Sequence, residues 1–212
     1  MSTESWPPLP SEDRERRPWV YLKLIHKALL INVGELKSVI ERPSLDKAVR
    51  DQVFSPGDAQ EEFFGELYTR LHNCAAIVGT LVDVGRPYVR KHRARHPDST
   101  FGPEQERRVT KIGSSVSAQI LKGLRNYLLH YNVPHMEITV TQTVSPAQTR
   151  SVLNLSSQSL LEWKKGSWES AARSYLGSVA WVDLGQMVDD YLALIEDYYS
   201  WLWSEVSSSG AS

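Results

Sequence analysis

The sequence predicts a mainly α protein, an up-and-down bundle of about four long helices plus short ones, with a β-hairpin inserted before the last long helix. Three observations carry that expectation. Apolar residues recur at steps of three and four over long stretches of the chain. Before the last of these stretches the apolar period drops to two. Prolines and glycines mark several of the joins.

In the first helix, Leu22, Ile25, Leu29, Val33, Leu36 and Ile40 share a face between about Trp19 and Glu41, and Pro43 is expected to stop it. A small helix over Leu45 to Phe54 comes next. The second long helix covers about Asp58 to Lys91, with Phe64, Leu67, Leu71, Cys74, Val78, Leu81 and Tyr88 as its apolar series. The loop HPDSTFGP follows, broken by Pro97, Gly102 and Pro103.

A third helix is predicted from near Glu104, its face running Val109, Ile112, Val116, Ile120, Leu124 and Tyr127. It must end by Val133, because Pro134 disfavours helical geometry in the residue before it. Gly113, Ser114, Ser115, Ser117, Ala118 and Gly123 make it small-sided, so another helix can approach closely. In HMEITVTQTV, Met136, Ile138, Val140 and Val144 alternate with Glu137, Thr139, Thr141 and Thr143, and SPAQT turns the chain toward Ser151 to Leu155. That is a β-hairpin at about 136–156. Two short helical pieces, around Ser159 to Lys165 and Trp168 to Leu176, are divided by Gly166. The last helix runs from Asp183 as N-cap to about Trp203, with Leu184, Met187, Val188, Tyr191, Ile195, Tyr198 and Leu202 on its face.

A chain of 212 residues, 41% hydrophobic and 23% charged, has the composition of a globular protein with one core. Residues 18–205 are expected to form that single domain, after a polar, proline-rich and poorly ordered lead-in over 1–17 and before a flexible tail over 206–212. The lead-in lacks the order of a signal peptide. The most apolar run, Val20 to Val33, is interrupted by Lys23, His26 and Lys27 and is too short to span a bilayer, so no membrane partner is expected. The lone cysteine, Cys74, excludes an internal disulfide and fits a reducing, cytoplasmic setting.

Charge is unevenly spread. Residues 86–125 carry ten lysines and arginines against three acids, although the whole chain has a net charge of −1. The densest part, RPYVRKHRARH, holds Arg86, Arg90, Lys91, Arg93 and Arg95 with no acid among them. Such a run is the footprint of a polyanion such as RNA, or else a solvated helix end whose cations complement the dipole.

The basic block leads into RNYLLH, residues Arg125 to His130. At 100° per residue, Arg125, Asn126 and His130 share an arc of about 140° at the last turn of a helix. A guanidinium fork fits a phosphate, an imidazole exchanges protons readily near neutral pH, and an amide can orient either one. These are the parts of a phosphoryl-transfer site. The same three residues also suit a purely structural role, with His130 on the helix dipole and Asn126 bonded to it across one turn.

Other chemistries find no pattern. His26 and His72 lie on different helices without zinc-site spacing, no Gly-rich phosphate loop occurs and no nucleophile elbow is present. Neither a metal nor a cofactor is implied. The seven tryptophans are assigned to packing of the core and hairpin.

RNYLLH, on the penultimate long helix and followed by HYNVP, a hairpin and a final helix, resembles the Arg-x4-His motif of the HEPN superfamily. The resemblance extends over residues 19–205 in architecture, and its one sharp motif is these six residues. It implies a metal-independent endoribonuclease of the toxin or defence-effector kind that assembles its site across a two-fold homodimer and leaves a 2′,3′-cyclic phosphate. By that resemblance His130 would be the general acid/base, Arg125 would hold the phosphate and Asn126 would orient the pair. A non-catalytic HEPN-like module that binds RNA, a nucleotide or a protein partner is the alternative. An antitoxin is one such partner. The sequence departs from the antitoxin-modified members, which carry Tyr two residues after the His, where this chain has Asn132, with Tyr131 one place early.

Overall fold

The structure, a computed structural model, describes residues 13–97, 100–144, 147–163 and 168–209. Helix α1 (Asp13–Leu45) and helix α3 (Asp58–Arg95) are the two longest elements, linked by the short α2 (Lys47–Phe54). Leu22, Leu29, Val33, Leu36 and Ile40 of α1 are buried against Leu67, Leu71, Cys74, Val78 and Leu81 of α3, as the three-and-four spacing requires. Each large aliphatic side chain buried in this way stabilises the fold by roughly 1.5–3 kcal/mol. Arg70 of α3 donates to Glu35 of α1 at 2.7 Å, and Arg42 of α1 pairs with Glu66 of α3. These ion pairs lie at the edge of the seam and are partly solvated, so they set register more than they add stability.

Several helix boundaries differ from the expectation. Pro43 does not stop α1, which continues to Leu45. Proline removes one hydrogen bond from a helix, and near the final turn few residues remain to be disrupted. The chain then turns at Asp46, whose carboxylate accepts from the Ala48 N–H at 2.8 Å and caps α2. Gly57, with φ 145°, makes the next corner into α3, a conformation that suits glycine. Helix α3 itself runs on to Arg95, past the predicted end at Lys91.

The predicted third long helix is two helices, α4 (Phe101–Gly113) and α5 (Val116–His130). The break follows from Gly113, Ser114 and Ser115, weak helix formers, and from the Ser115 hydroxyl, which accepts from the Ala118 N–H at 3.2 Å and starts α5 afresh. Gly102 and Pro103, expected to break structure, lie in the first turn of α4, where proline needs no hydrogen-bond partner. Helix α4 docks on the final helix α8 (Leu184–Ser209) through the stacked rings of Phe101 and Trp201, 5.2 Å apart, and through Arg108, which reaches Asp197 at 2.8 Å.

The hairpin is present as β1 (Met136–Val144) and β2 (Ala147–Ser156), antiparallel with Ile138 opposite Leu153 and Met136 opposite Leu155. A third strand, β3 (Trp181–Asp183), pairs antiparallel with β2 and makes the order β1-β2-β3. Three residues are too few for a periodic signal, which is why the sequence did not reveal it. The short helices α6 (Ser157–Leu161) and α7 (Ser170–Ser178) lie between β2 and β3. Asp183 caps α8 as predicted, accepting from the Gln186 N–H at 3.0 Å.

Helix α1 begins at Asp13, so five residues of the expected lead-in are helical, while 1–12 lie outside the described residues. Likewise α8 continues through 206–209 of the expected tail, and 210–212 lie outside the description. Among the described residues no helix is long and apolar enough to cross a membrane.

Two predictions follow from the packing. Gly123 of α5 is pressed on Trp168, and a Cβ there would stand 2.2 Å from the indole ring. The ring is buried and its Nε1 donates to the Leu160 carbonyl at 3.0 Å, so it has little freedom to retreat. Gly123→Ala should therefore lower stability by about 1–3 kcal/mol, read from urea midpoints, despite alanine's better helix propensity.

His26 is 3% exposed, stacks on Tyr199 with centroids 4.6 Å apart, and is held down to a pKa of about 4 by burial. Above pH 6.5 it is neutral in both states and has no linkage effect. As the pH falls from 6.5 toward 4 the unfolded chain takes up a proton that the folded chain refuses, so stability drops by on the order of 3 kcal/mol. Urea midpoints of the native protein and His26→Phe between pH 7.5 and 4.5 should diverge in slope; parallel curves would refute the assignment.

Candidate functional site

Helix α5 turns Ile120, Leu121, Leu124 and Leu128 inward, which leaves Arg125 at the border of the buried face. From there the side chain lies across α3 at Gly79. A Cβ on residue 79 would come within 2.8 Å of Arg125 Nε and 2.9 Å of its Cδ and Cζ. The glycine therefore lets the arginine lie flat on the neighbouring helix. Its Nε is buried with no hydrogen-bond partner, and the residue forms no ion pair among the described residues.

Arg125 faces a cleft of about 490 Å³ between α3, α4, α5 and α8. Arg86, Arg90 and Arg93 line it from α3 and Lys122 from α5. Their spacing explains the grouping, because residues 86, 90 and 93 lie within about 60° of one another on a helix. Three of these cations have acidic partners: Arg86 has Asp83 at 3.6 Å, Arg93 has Glu106 at 2.5 Å and Lys122 has Glu169. Arg90, like Arg125, forms no ion pair among the described residues. The lining thus holds five cations against two acids, Asp83 and Glu169.

The interior of the cleft is apolar and aromatic, with Val78, Leu81, Ile112 and Ile195 beside Tyr191, Tyr198 and Tyr199. Tyr191 is 2% exposed and its hydroxyl has no hydrogen-bond partner. Burial pushes its phenol well up from the ordinary value and raises that of Tyr198 to about 12, so these rings carry protons at any working pH.

The residues singled out from the sequence are thus divided. Arg86, Arg90, Arg93 and Arg125 come together in the cleft, while Lys91 and Arg95 are exposed and do not line it. His130 does not line it either. It is the last residue of α5 and is exposed, with Leu129, Tyr131 and Val133 exposed around it. Asn126 is half-buried and makes no hydrogen bond to His130, so the structural pairing across one turn is not formed. Lys122, Asn126 and His130 follow one another at four-residue steps and form a polar stripe from the cleft to the end of α5, a rise of about 12 Å. Among the described residues no group of three or more His, Cys, Asp or Glu side chains could hold a metal ion.

Lys122, Gly79 and Tyr191 were not identified from the sequence. Lys122 had a signal, since it precedes Arg125 by three residues and shares its side of the helix. Tyr191 had none, because it fits the apolar series of its own helix.

No protein-family model matches this chain, and no curated protein or solved structure does.

Proposed function

We propose that this chain is a HEPN-like RNA-binding protein that holds the phosphate backbone of a single strand over the cleft between α3, α5 and α8. The observation that carries this reading is the gathering of five cations around one opening, two of them without acidic partners among the described residues. Three of the five have acidic neighbours, and the excess of positive charge that remains suits a polyanion. The apolar interior beneath them suits the bases of a flexible strand.

A second reading, endoribonuclease activity, is supported by the exposure of His130 at the end of the Lys122–Asn126–His130 stripe. In that reaction the RNA 2′-oxygen bonds to the adjacent phosphorus while the bond from phosphorus to the 5′-oxygen breaks. The proton of the 2′-hydroxyl goes to His130, and the departing 5′-oxygen receives one from the His130 of a second copy. Arg125 would stabilise the charge on the phosphoryl oxygens. Within one chain Arg125 and His130 face different surroundings, so this reading requires an isologous dimer.

RNA affinity measured by fluorescence anisotropy should fall steeply with salt. Arg90→Ala and Arg125→Ala should each lower the magnitude of the log–log slope by about 0.7, the value for one single-strand phosphate contact. Binding that ignores salt, or no binding, would end the RNA reading.

For the second reading, RNA should be cleaved in EDTA by the native dimer and not by His130→Ala. That variant should keep its stability within about 0.5 kcal/mol, because His130 is exposed and has no partner to lose among the described residues. A monomer at micromolar concentration, or cleavage undiminished in the variant, would exclude His130 from catalysis.

A further inference from the structure

We propose that the open edge of β2 captures an extended segment of another protein as an added strand, with a lysine or arginine of that segment reaching Glu41. The site is a groove of about 400 Å³ between the C-terminal part of α1, the edge of β2 and the start of α8. It shares no lining residue with the basic cleft.

The main chain carries the inference. Thr149, Arg150, Ser151, Val152 and Leu153 line the groove in succession. Successive side chains of a strand point to opposite faces, so a groove that touches all of them lies along the strand's edge. Hydrogen bonds farther along β2 give the direction of its polar groups. The Ser156 N–H donates to the His135 carbonyl on the β1 side, and the Ser157 N–H donates to the Ala180 carbonyl on the β3 side, each at 3.0 Å. These directions alternate along an antiparallel strand, so Thr149 and Ser151, like Ser157, turn their N–H and C=O away from β1. There β3 offers them nothing, because it pairs only with residues 154–156 before the chain enters α8.

The edge is also fit for pairing. From Met136 opposite Leu155 to Val144 opposite Ala147 the hairpin is in unbroken register. Residues 149–153 contain no proline. A regular edge without the bulge or proline that commonly blunts one is a template for a further strand.

The side chains around it select the occupant. Ser151 stands in the inward series of Leu153 and Leu155, and its short side chain leaves depth where a leucine would fill the groove. Ile40 and Leu45 of α1 give an apolar wall, and Leu45 is 80% exposed. Of the charged residues in the lining, Lys37 pairs with Asp189, and Arg150 with Asp183 at 3.5 Å. Glu41 has no ion pair among the described residues, so the charge left to be met is negative. A segment with apolar residues and one cation on the face toward α1 meets both demands. A second copy of this chain does not fit. Its own β2 edge is recessed between α1 and α8, with Ser151 7% exposed and Leu153 buried, and two recessed edges cannot reach each other.

The test is calorimetric titration of the full chain with short end-blocked peptides of alternating Thr and Val, in which one Val is replaced by Lys or, as the control, by Glu. At least one Lys peptide should bind with a Kd below about 1 mM, at least about tenfold more tightly than its Glu counterpart. N-methylation of alternate residues should abolish binding in one phase and change it less than about threefold in the other, because only every second N–H of an added strand faces β2. Glu41→Lys lies on α1, leaves the sheet untouched and should reverse the preference so that the Glu peptide binds better. Thr149→Pro removes an edge N–H that no strand uses, and should weaken every peptide while the circular dichroism of the native fold is kept.

The proposal is overturned if no peptide binds at millimolar concentration, if both phases of N-methylation act alike, or if Glu41→Lys leaves the preference unchanged. A dimer in light scattering that Thr149→Pro converts to a monomer would assign the edge to a second copy and overturn it as well.

Discussion

The apolar seam between α1 and α3 fixes where every other element can lie. Once Leu22, Leu29, Leu36 and Ile40 are packed on Leu67, Leu71, Val78 and Leu81, the other sides of α3 are committed to different neighbours. One of them receives α5 across Gly79, and farther along the helix Arg86, Arg90 and Arg93 come to a common edge. The basic cleft is thus a geometric result of a core helix continuing past the core. Residues that point inward over the first half of α3 have counterparts in its second half that point into a partly open space. Helix α8 closes that space from the other side with Tyr191, Ile195 and Tyr198.

The arrangement of the cleft works against stability. Five cations share one opening, a buried guanidinium nitrogen and a buried phenol hydroxyl have no partners, and a glycine occupies the interior of a long helix. Each feature is unfavourable for folding on physical grounds. Elsewhere helices are capped at Asp46, Ser115 and Asp183 and tied by ion pairs such as Arg70 with Glu35, although buried polar atoms without hydrogen-bond partners occur there too, at Arg42, Arg70, Ser151 and Ser157. What sets the cleft apart is the grouping of cations around one opening.

Much of the fold was legible because its signals are periodic. Leu22 through Ile40, Leu67 through Leu81 and the alternation from Met136 fixed element type, and each of those segments is helix or strand as read. Boundaries were less legible where a local breaker competed with the packing of a whole helix, as at Pro43, or where a serine cap interrupted a face that otherwise continued, as at Ser115. For the site, the common face of Arg86, Arg90 and Arg93 could be read from their numbers alone. The separation of Arg125 from His130 could not, because an arc of about 140° becomes one site or two according to which helices pack on it. Tyr191 lay beyond reach for a different reason. A buried tyrosine in an apolar series is indistinguishable from a core residue until its hydroxyl is found without a partner.

That separation bears on how the two readings of the motif relate. For Arg125 to act on a phosphate held at His130 in the same chain, its side chain has to leave its place above Gly79. The move would forfeit packing but no hydrogen bond of Nε, since Nε has none there. An arginine hydrogen-bonded through Nε in its resting place would lose that bond on moving, and this one has none there to lose. The glycine gives Arg125 a resting place beside the cleft, where no hydrogen bond of Nε ties it down.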